Sequence, residues 1–571
     1  MEEATASYSS LHESNVIFDL VLKLYSQDNI ALPEDVLRRK GNVYFKANRN
    51  LPYFPVPFRE TETAAALKAI EVSLAAILAD LKEEEATKKT DRKVTIDLEK
   101  TTAFLFQAYT ATVGGLGKLD PEVKKLLKDT DLLQAQSDKY RRMSANLFET
   151  KRPGEYYHIH GSLEASTTLR MIGLEPFRPD LKTHEEIVDV IETATKKYTI
   201  EELEELNATN RQAGIPALRH EDYLKTPHGQ ANSKVLPWTV ESLETTTPPS
   251  PLPQDDPQSS HLPLSGLKVL ELCRIIAGPI ITRILAEYGA DVLKVTSPHL
   301  SDVPFFQVDG NMGKHATELD LKTSEGRAKF EALLEDVDIV VDGYRPGTFD
   351  KLGYGAKALS KMALKRGKGI VYVNENCFGF QGEWAHRPGW QQIADCVSGI
   401  AWEQGKFMNI SEPIVPPFPI SDYGTGCMGA IAALVGLYHR TTRGGSWHGK
   451  TSLLQYDLLL FRVGLYPPEV QEELRQLVGP EFMSLRHSNS VDQIGGTALV
   501  NMRHRFPEFF TRKDLFETWY SGAYGTDVTV VRPVAEIEGL KLGFKRASRP
   551  NGTDAPTWDF GDEKDFRKTT E

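Results

Sequence analysis

Asp422 stands two residues ahead of Gly424-Thr425-Gly426-Cys427-Met428-Gly429, where a Gly- and Ala-rich stretch of helical spacing begins. Two chemistries are open to a carboxylate in that place. It can cap the helix by accepting backbone N–H groups of the first turn. It can also be a nucleophile, held ionised by the helix N-terminus and exposed at a turn. The residue types alone leave both readings open. The glycines match GxGxxG, but PIVPPFPIS before them is too rich in proline for a central strand. No acidic ribose partner follows at the spacing of a dinucleotide site, so close helix packing is the expected role of these glycines.

Gly444–Thr451, GGSWHGKT, fits the expression GxxxxGK[ST]. A phosphate-binding loop joins a buried strand to a helix N-terminus. Here a helical segment (Ala430–His439) precedes and the strand-like TSLLQYDLLLF follows, so no nucleotide site is expected. His158 and His160 alternate on an expected strand and share one face, and without a third ligand no metal site is expected. Lys124–Lys128 and Arg141-Arg142 read as solvated helix faces.

The element that must position this chemistry runs from Pro263 to Pro298. It reads as a buried strand (Lys268–Leu272), a Gly278-Pro279 turn, a helix carrying Ile281, Ile284, Leu285 and Tyr288, and a second strand (Asp291–Val295). Strand, helix and strand at this spacing form a βαβ unit of a parallel sheet. Further alternation follows: a helix at Gly326–Leu334, a strand at Asp338–Val341, a helical region at Lys351–Ala363, a strand at Ile370–Asn374 and a helix at Gly424–Tyr438. The pattern is that of an open, doubly wound α/β domain.

Upstream, Glu60–Ala86 is expected to be helical, capped by Thr61 or Thr63, with Leu67, Ile70, Leu74, Ile77 and Leu81 on one stripe. Thr101–Val113 and Glu122–Phe148 also read as helices. EYYHIHGSLEAS reads as strand and loop, followed by helices near Glu185–Lys197 and Thr199–Ala213, the latter opened by a capping box of Thr199 and Glu202. Thr245–His261, TTTPPSPLPQDDPQSSH, has little to bury and reads as a linker. The expected division is therefore a helical and small-domain-like region over 1–240, a Pro/Ser-rich linker over 241–262, and a large domain over 263–571 that ends in an irregular segment.

At 571 residues the chain exceeds one ordinary core. Its net charge of −12 argues against a nucleic-acid partner. The four cysteines are widely spaced without a CxxC pair, which points to neither a disulfide framework nor a zinc site. No targeting signal is recognised at either end, and no apolar run approaches the roughly 18 residues of a membrane span, so a cytoplasmic protein without a membrane partner is expected.

PLSGLKVLELCRIIAGP and LAEYGADVLKV resemble the opening of the class III CoA-transferases, the CaiB/BaiF family, which also includes α-methylacyl-CoA racemases. The resemblance continues in order through Asn311–Lys322, Val341–Gly355 (VDGYRPGTFDKLGYG), Phe378–Gly382, Pro388–Gly399, Pro417–Leu434 and RTTRGG. Tyr156–Gly173 and Ile215–Gly229 resemble the family's small domain less closely, and stand unusually ahead of the large domain, as a degenerate fused copy would. The resemblance implies a Rossmann-like large domain with a smaller α+β domain, in an interlocked homodimer. It implies CoA as acyl-CoA substrate, a carboxylic acid as the other partner, no metal, and Asp422 as the nucleophile that forms an acyl anhydride and then an aspartyl thioester.

By the same resemblance, Ile275 and Ala277 border the thioester arm, their amides near its oxygen. Tyr344, Arg345, Lys351 and Leu352 line the adenine and phosphate side, with Lys314 as a further contact. The position that holds His in the racemases, and often Tyr in transferases, is Trp390 here, followed by Gln391. Ser297 replaces a cation after the second strand, and no GGGGQ lid is found. A racemase or epimerase, and a non-catalytic acyl-CoA-binding relative, stand as alternatives to CoA transfer.

Overall fold

The computed structural model describes residues 8–83, 91–253, 262–561 and 564–568. Its centre is a seven-stranded sheet. We label the strands β1 (Trp238–Glu244), β2 (Lys268–Leu272), β3 (Asp291–Thr296), β4 (Lys314–Glu318), β5 (Ile339–Asp342), β6 (Val371–Asn376) and β7 (Ser446–Ser452). Their order across the sheet is β4-β3-β2-β5-β6-β7-β1. All neighbours pair in parallel except β1, which runs antiparallel to β7 at the edge. The six parallel strands have the order of a doubly wound dinucleotide-binding fold, whose direction reverses between the first and fourth of them, here β2 and β5.

Alternation along β2 explains why it lies at the centre. Val269 and Cys273 face one core, Leu270 and Leu272 the other. A strand buried on both faces needs apolar residues on both, which is why it reads as a continuous run. Helix α2 (Ala277–Glu287) crosses from β2 to β3 and packs on helix α4 (Ile420–Arg443). Helix α1 (Glu60–Asp80), from far upstream, packs on α4 too. Helix α3 (Gln391–Ser398) packs against helix α5 (Leu453–Val463).

The smaller unit has its own core. Strands Ala145–Glu149, Tyr156–His160 and Ile215–Pro216 form a sheet. Helices His184–Thr195 and Ile200–Asn210 contribute Ile187, Ile191 and Leu203 to the cluster beside it. The Thr199 capping box forms as expected, Glu202 N–H donating to the Thr199 hydroxyl and Thr199 N–H to the Glu202 carboxylate.

Several expectations are corrected. Gly278 and Pro279 lie inside the first turn of α2, where proline has no N–H to lose, and do not form a turn. Neither Thr61 nor Thr63 caps α1; Arg59 occupies that position and both threonines are buried. Residues 84–86 of that expected helix, and 254–261 of the linker, lie outside the described residues. Thr101–Val113 is two short helices, Leu98–Leu105 and Gln107–Thr110, running into a strand, Thr112–Val113.

Glu122–Phe148 is not one helix. The Asp131 carboxylate accepts the N–H groups of Ala135, Gln136 and Ser137, closing a loop in mid-segment. Asp138 then caps a single turn, Lys139–Arg142, before the strand Ala145–Glu149. Arg141 is 2% exposed, its guanidinium donating to the carbonyls of Leu133 and Pro176, so it is no solvated charge. TSLLQYDLLLF mostly forms α5, because Ser452 accepts the Gln455 N–H and starts a helix after β7. Finally, α4 is long and apolar enough by composition to cross a membrane, contrary to expectation, but its residues from Ile420 to Leu437 are all buried within the protein.

Candidate active site

The turn after β2 is set by buried charge. Glu271 on β2 accepts from Lys314 Nζ at 2.6 Å and from Thr282 Oγ1 at 2.6 Å. Lys314 also donates to the Pro279 carbonyl at 2.7 Å. Strand β2, helix α2 and strand β4 are thereby tied at one point inside the core, across the intervening β3, where low polarity strengthens each bond. Cys273 lies beneath Gly278, where a Cβ would come 2.6 Å from the thiol sulfur. The glycine lets α2 start directly over the turn. The turn itself is strained: Ile275 has φ 70°, a left-handed conformation that β-branched residues avoid.

Asp422 belongs to the first turn of α4. Its amide donates to the Pro419 carbonyl, and Pro419 holds the cap position, so Asp422 does not cap this helix. The glycines of GTGCMG act in packing. A Cβ on Gly424 would fall 1.9 Å from the Tyr456 ring, on Gly426 2.4 Å from Ile280, and on Gly429 2.3 Å from Ile281. Their absence of side chains brings α4 against α2 and α5, and so brings Asp422 to the strained turn. There the Ala277 backbone amide favours the ionised form of the Asp422 carboxylate.

Asp422 is 7% exposed. Burial, followed by the charge of Asp457, pushes its carboxyl up to about 8, and the Ala277 amide works in the opposite direction. Further carboxyls surround it. Ser421 Oγ lies 3.0 Å from Asp395 Oδ1 and 3.0 Å from Asp457 Oδ1, and Ser398 Oγ donates to Asp457 Oδ2 at 2.9 Å. Burial raises Asp457 to about 7, and burial with Asp457 raises Asp395 well above the carboxylate range. On the other side Glu375, at the end of β6, is raised to about 8 by burial and then by Asp422.

Two cavities meet at Asp422, and both are also lined by Ile275, Ile276 and Trp390. One opens where the sheet reverses direction, bounded by Arg274 and Ala277 after β2, Tyr344 and Arg345 after β5, and Glu375 at the end of β6. Doubly wound sheets bind ligands in this crevice. Arg274 lies over the Tyr344 ring at 5.4 Å and donates to the Ser301 carbonyl at 2.8 Å. Burial and the nearby Arg274 lower Arg345 from its ordinary value, and neither arginine forms an ion pair among the described residues. The other cavity is walled by Tyr109, Lys118, Arg142, His160 and Asp492.

Of the residues expected at the site, Asp422, Ile275, Ala277, Tyr344 and Arg345 are brought together. Lys351 is exposed on an adjacent groove that shares Arg345 with the crevice. Leu352 instead packs against the core between sheet and helices. Lys314 is fully buried in its pair with Glu271 and does not reach the crevice. The expected solvated pair fails further at Arg142, which lines the second cavity. Trp390 stacks on His160, ring centroids 5.8 Å apart, and Gln391 reaches back to Asp395. His158 and His160 do share a face, with centroids 5.4 Å apart, and burial first depresses both. Glu375 escaped the sequence reading, although its place at the C-terminal end of a parallel strand marks it. Asp395, Asp457 and Lys118 gave no local signal; only the fold assembles them.

Known proteins resemble this chain. The signature of CoA-transferase family III matches residues 264–465. The chain is similar to the acetyl-coenzyme A transferase nodX of Hypoxylon pulicicidum, 34% identical over 541 residues that span 92% of this chain and 90% of the relative. It is similar to an acyl-CoA transferase of Gibberella moniliformis, 31% identical across 88% of each chain. The β subunit of succinyl-CoA–L-malate CoA-transferase from Chloroflexus aurantiacus is 33% identical over 33% of this chain and 48% of its own. Given the family signature over the sheet and the site, and full-length likeness to such relatives, this chain belongs to the class III CoA-transferases, the CaiB/BaiF family.

Proposed function

We propose that Asp422 is the nucleophile by which this enzyme moves CoA from an acyl-CoA donor to a carboxylic acid. Asp422 Oδ attacks the thioester carbonyl, the C–S bond breaks, and CoA thiolate leaves an acyl-aspartyl anhydride. The thiolate then attacks the aspartyl carbonyl, freeing the donor acid and forming an aspartyl-CoA thioester. The acceptor carboxylate attacks that thioester to give a second anhydride. Thiolate attack on the acceptor carbonyl forms the new acyl-CoA and returns the Asp422 carboxylate.

The observation that carries this reading is the position of Asp422, buried at the junction of two cavities. An anhydride survives only where bulk water is excluded. The first cavity offers groups suited to CoA: Ile275 and Ala277 for the thioester arm, Tyr344 as a ring wall, and Arg345 with Arg274, which form no ion pair among the described residues, as cations for phosphate. Lys351 extends that positive edge into the adjacent groove. The family resemblance implies an interlocked homodimer, and a cytoplasmic location belongs to the same proposal.

The test is Asp422→Asn, assayed for CoA transfer between labelled acids, with CoA affinity measured beside it. Loss of at least ~10³-fold in turnover with affinity retained is expected for a missing covalent nucleophile. Turnover within tenfold of the parent would remove Asp422 from the reaction.

A further inference from the structure

We propose that the second cavity recognises an acyl group bearing a further carboxylate, and that Arg142, assisted by Lys118, is its cationic partner. This rests on Asp422 being the residue that becomes acylated.

The argument starts from charge. Lys118 and Arg142 line the cavity with a single carboxylate, Asp492, between them. Lys118 Nζ is hydrogen-bonded to Asp492 Oδ1, and its ammonium also lies 4.7 Å from the centre of the Tyr109 ring. Arg142 Nε stands 3.5 Å from Asp492 Oδ2, and among the described residues its guanidinium has no other ion pair. Burial opposes ionisation of Asp492, yet Lys118 and then Arg142 hold it far below the usual carboxylate range. His160 adds no positive charge: burial, His158 and Arg142 all favour its neutral form, and its Nδ1 accepts the Ser162 amide.

Asp422, the other carboxyl on the wall, carries no negative charge when it is protonated or acylated. The cavity then presents two cations against one carboxylate. A lone excess cation in a partly desolvated cavity is costly, and a ligand carboxylate offsets that cost by taking the free edge of the guanidinium. The cavity volume is about 90 Å³. That is smaller than the roughly 150 Å³ cavity that takes up benzene, so the acyl chain it fits has only a few carbons. Lys118, Arg142 and Asp492 all lie outside residues 264–465, the span of the family signature. Substrate choice at this wall is thus set by the chain's own flanking segments.

The probes are two length-matched pairs, malonyl-CoA against butyryl-CoA and succinyl-CoA against pentanoyl-CoA. Their affinities are measured by calorimetry on full-length Asp422→Asn, in which chemistry is blocked. In each pair the carboxylate-bearing thioester is expected to bind at least ~10-fold tighter. Adding Arg142→Gln should bring the ratio within about threefold, and Lys118→Met, read in the same background in case the first variant fails to fold, should lower it as well. Equal affinities within the pairs, or a preference that survives Arg142→Gln, overturns the proposal. Failure of the nucleophile assignment is seen separately, as absence of an Asp422 hydroxamate from all four thioesters with the intact enzyme, and leaves the affinity ratio to judge the cavity.

Discussion

The backbone amide of Ala277, in the strained turn after the first parallel strand, acts on the carboxylate of Asp422, in the first turn of a helix far along the chain, and favours its ionised form. Among the influences on the pKa of the proposed nucleophile, it alone opposes the rise. Burial and Asp457 act against ionisation. The balance leaves Asp422 at about 8, so its reactive form is a minor species at neutral pH.

A pH dependence follows from the sign of these effects. The ionised carboxylate attacks, so acylation should quicken as pH rises through about 8, the value to which Asp422 is raised. The neighbouring acids make the observed midpoint a property of the group. Asp457→Asn removes a like charge from Asp422 and should move the midpoint to lower pH. Single-turnover acylation rates between pH 6 and 9 check this; a flat profile, or a midpoint that moves upward, contradicts it.

Gly426→Ala tests the packing that delivers Asp422. In an exposed helix the change stabilises by up to about 1 kcal/mol. Here the new methyl would lie 2.4 Å from Ile280 on the helix that follows the strained turn. Overpacking of this kind costs about 1–3 kcal/mol, so a lower melting temperature is expected. Displacement of the turn should also slow acylation tenfold or more, about the scale set by misplaced reacting groups. Unchanged stability and rate would mean that the two helices can part without consequence.

Arg345→Ala should weaken CoA binding about tenfold, because it removes a cation that pairs with no carboxylate among the described residues. The loss should vanish for an acyl-pantetheine, which lacks the phosphates. Equal losses for the two thioesters would show that Arg345 shapes the crevice instead of binding phosphate. Comparing KM for the two thioesters in parent and variant makes the distinction.

The sheet was legible because its strands are buried on both faces. Lys268–Leu272 is found as expected, and the strand begun at Asp291 ends one residue later, at Thr296. Where buried elements are short and apolar, periodicity does not separate helix from strand, and α5 was misread for that reason. The charged stretch Glu122–Phe148 has helical propensity, but Asp131 and Asp138 draw its backbone into a loop and a single turn. Asp422 stood out in sequence by its place ahead of the glycines, and only the family pattern favoured nucleophile over helix cap. The carboxylates behind it, and Arg142 with Lys118 in front, come from distant segments, and local chemistry says nothing about which distant residues meet.

The most direct measurement is hydroxylamine trapping of the enzyme after brief exposure to acyl-CoA donors, with peptide mass spectrometry over the α4 segment Ile420–Arg443. A hydroxamate on Asp422, formed only with donor present and abolished in Asp422→Asn, is the predicted result. Full CoA transfer with no modification of Asp422, or with a hydroxamate on Glu375 or Asp457 instead, would contradict the account.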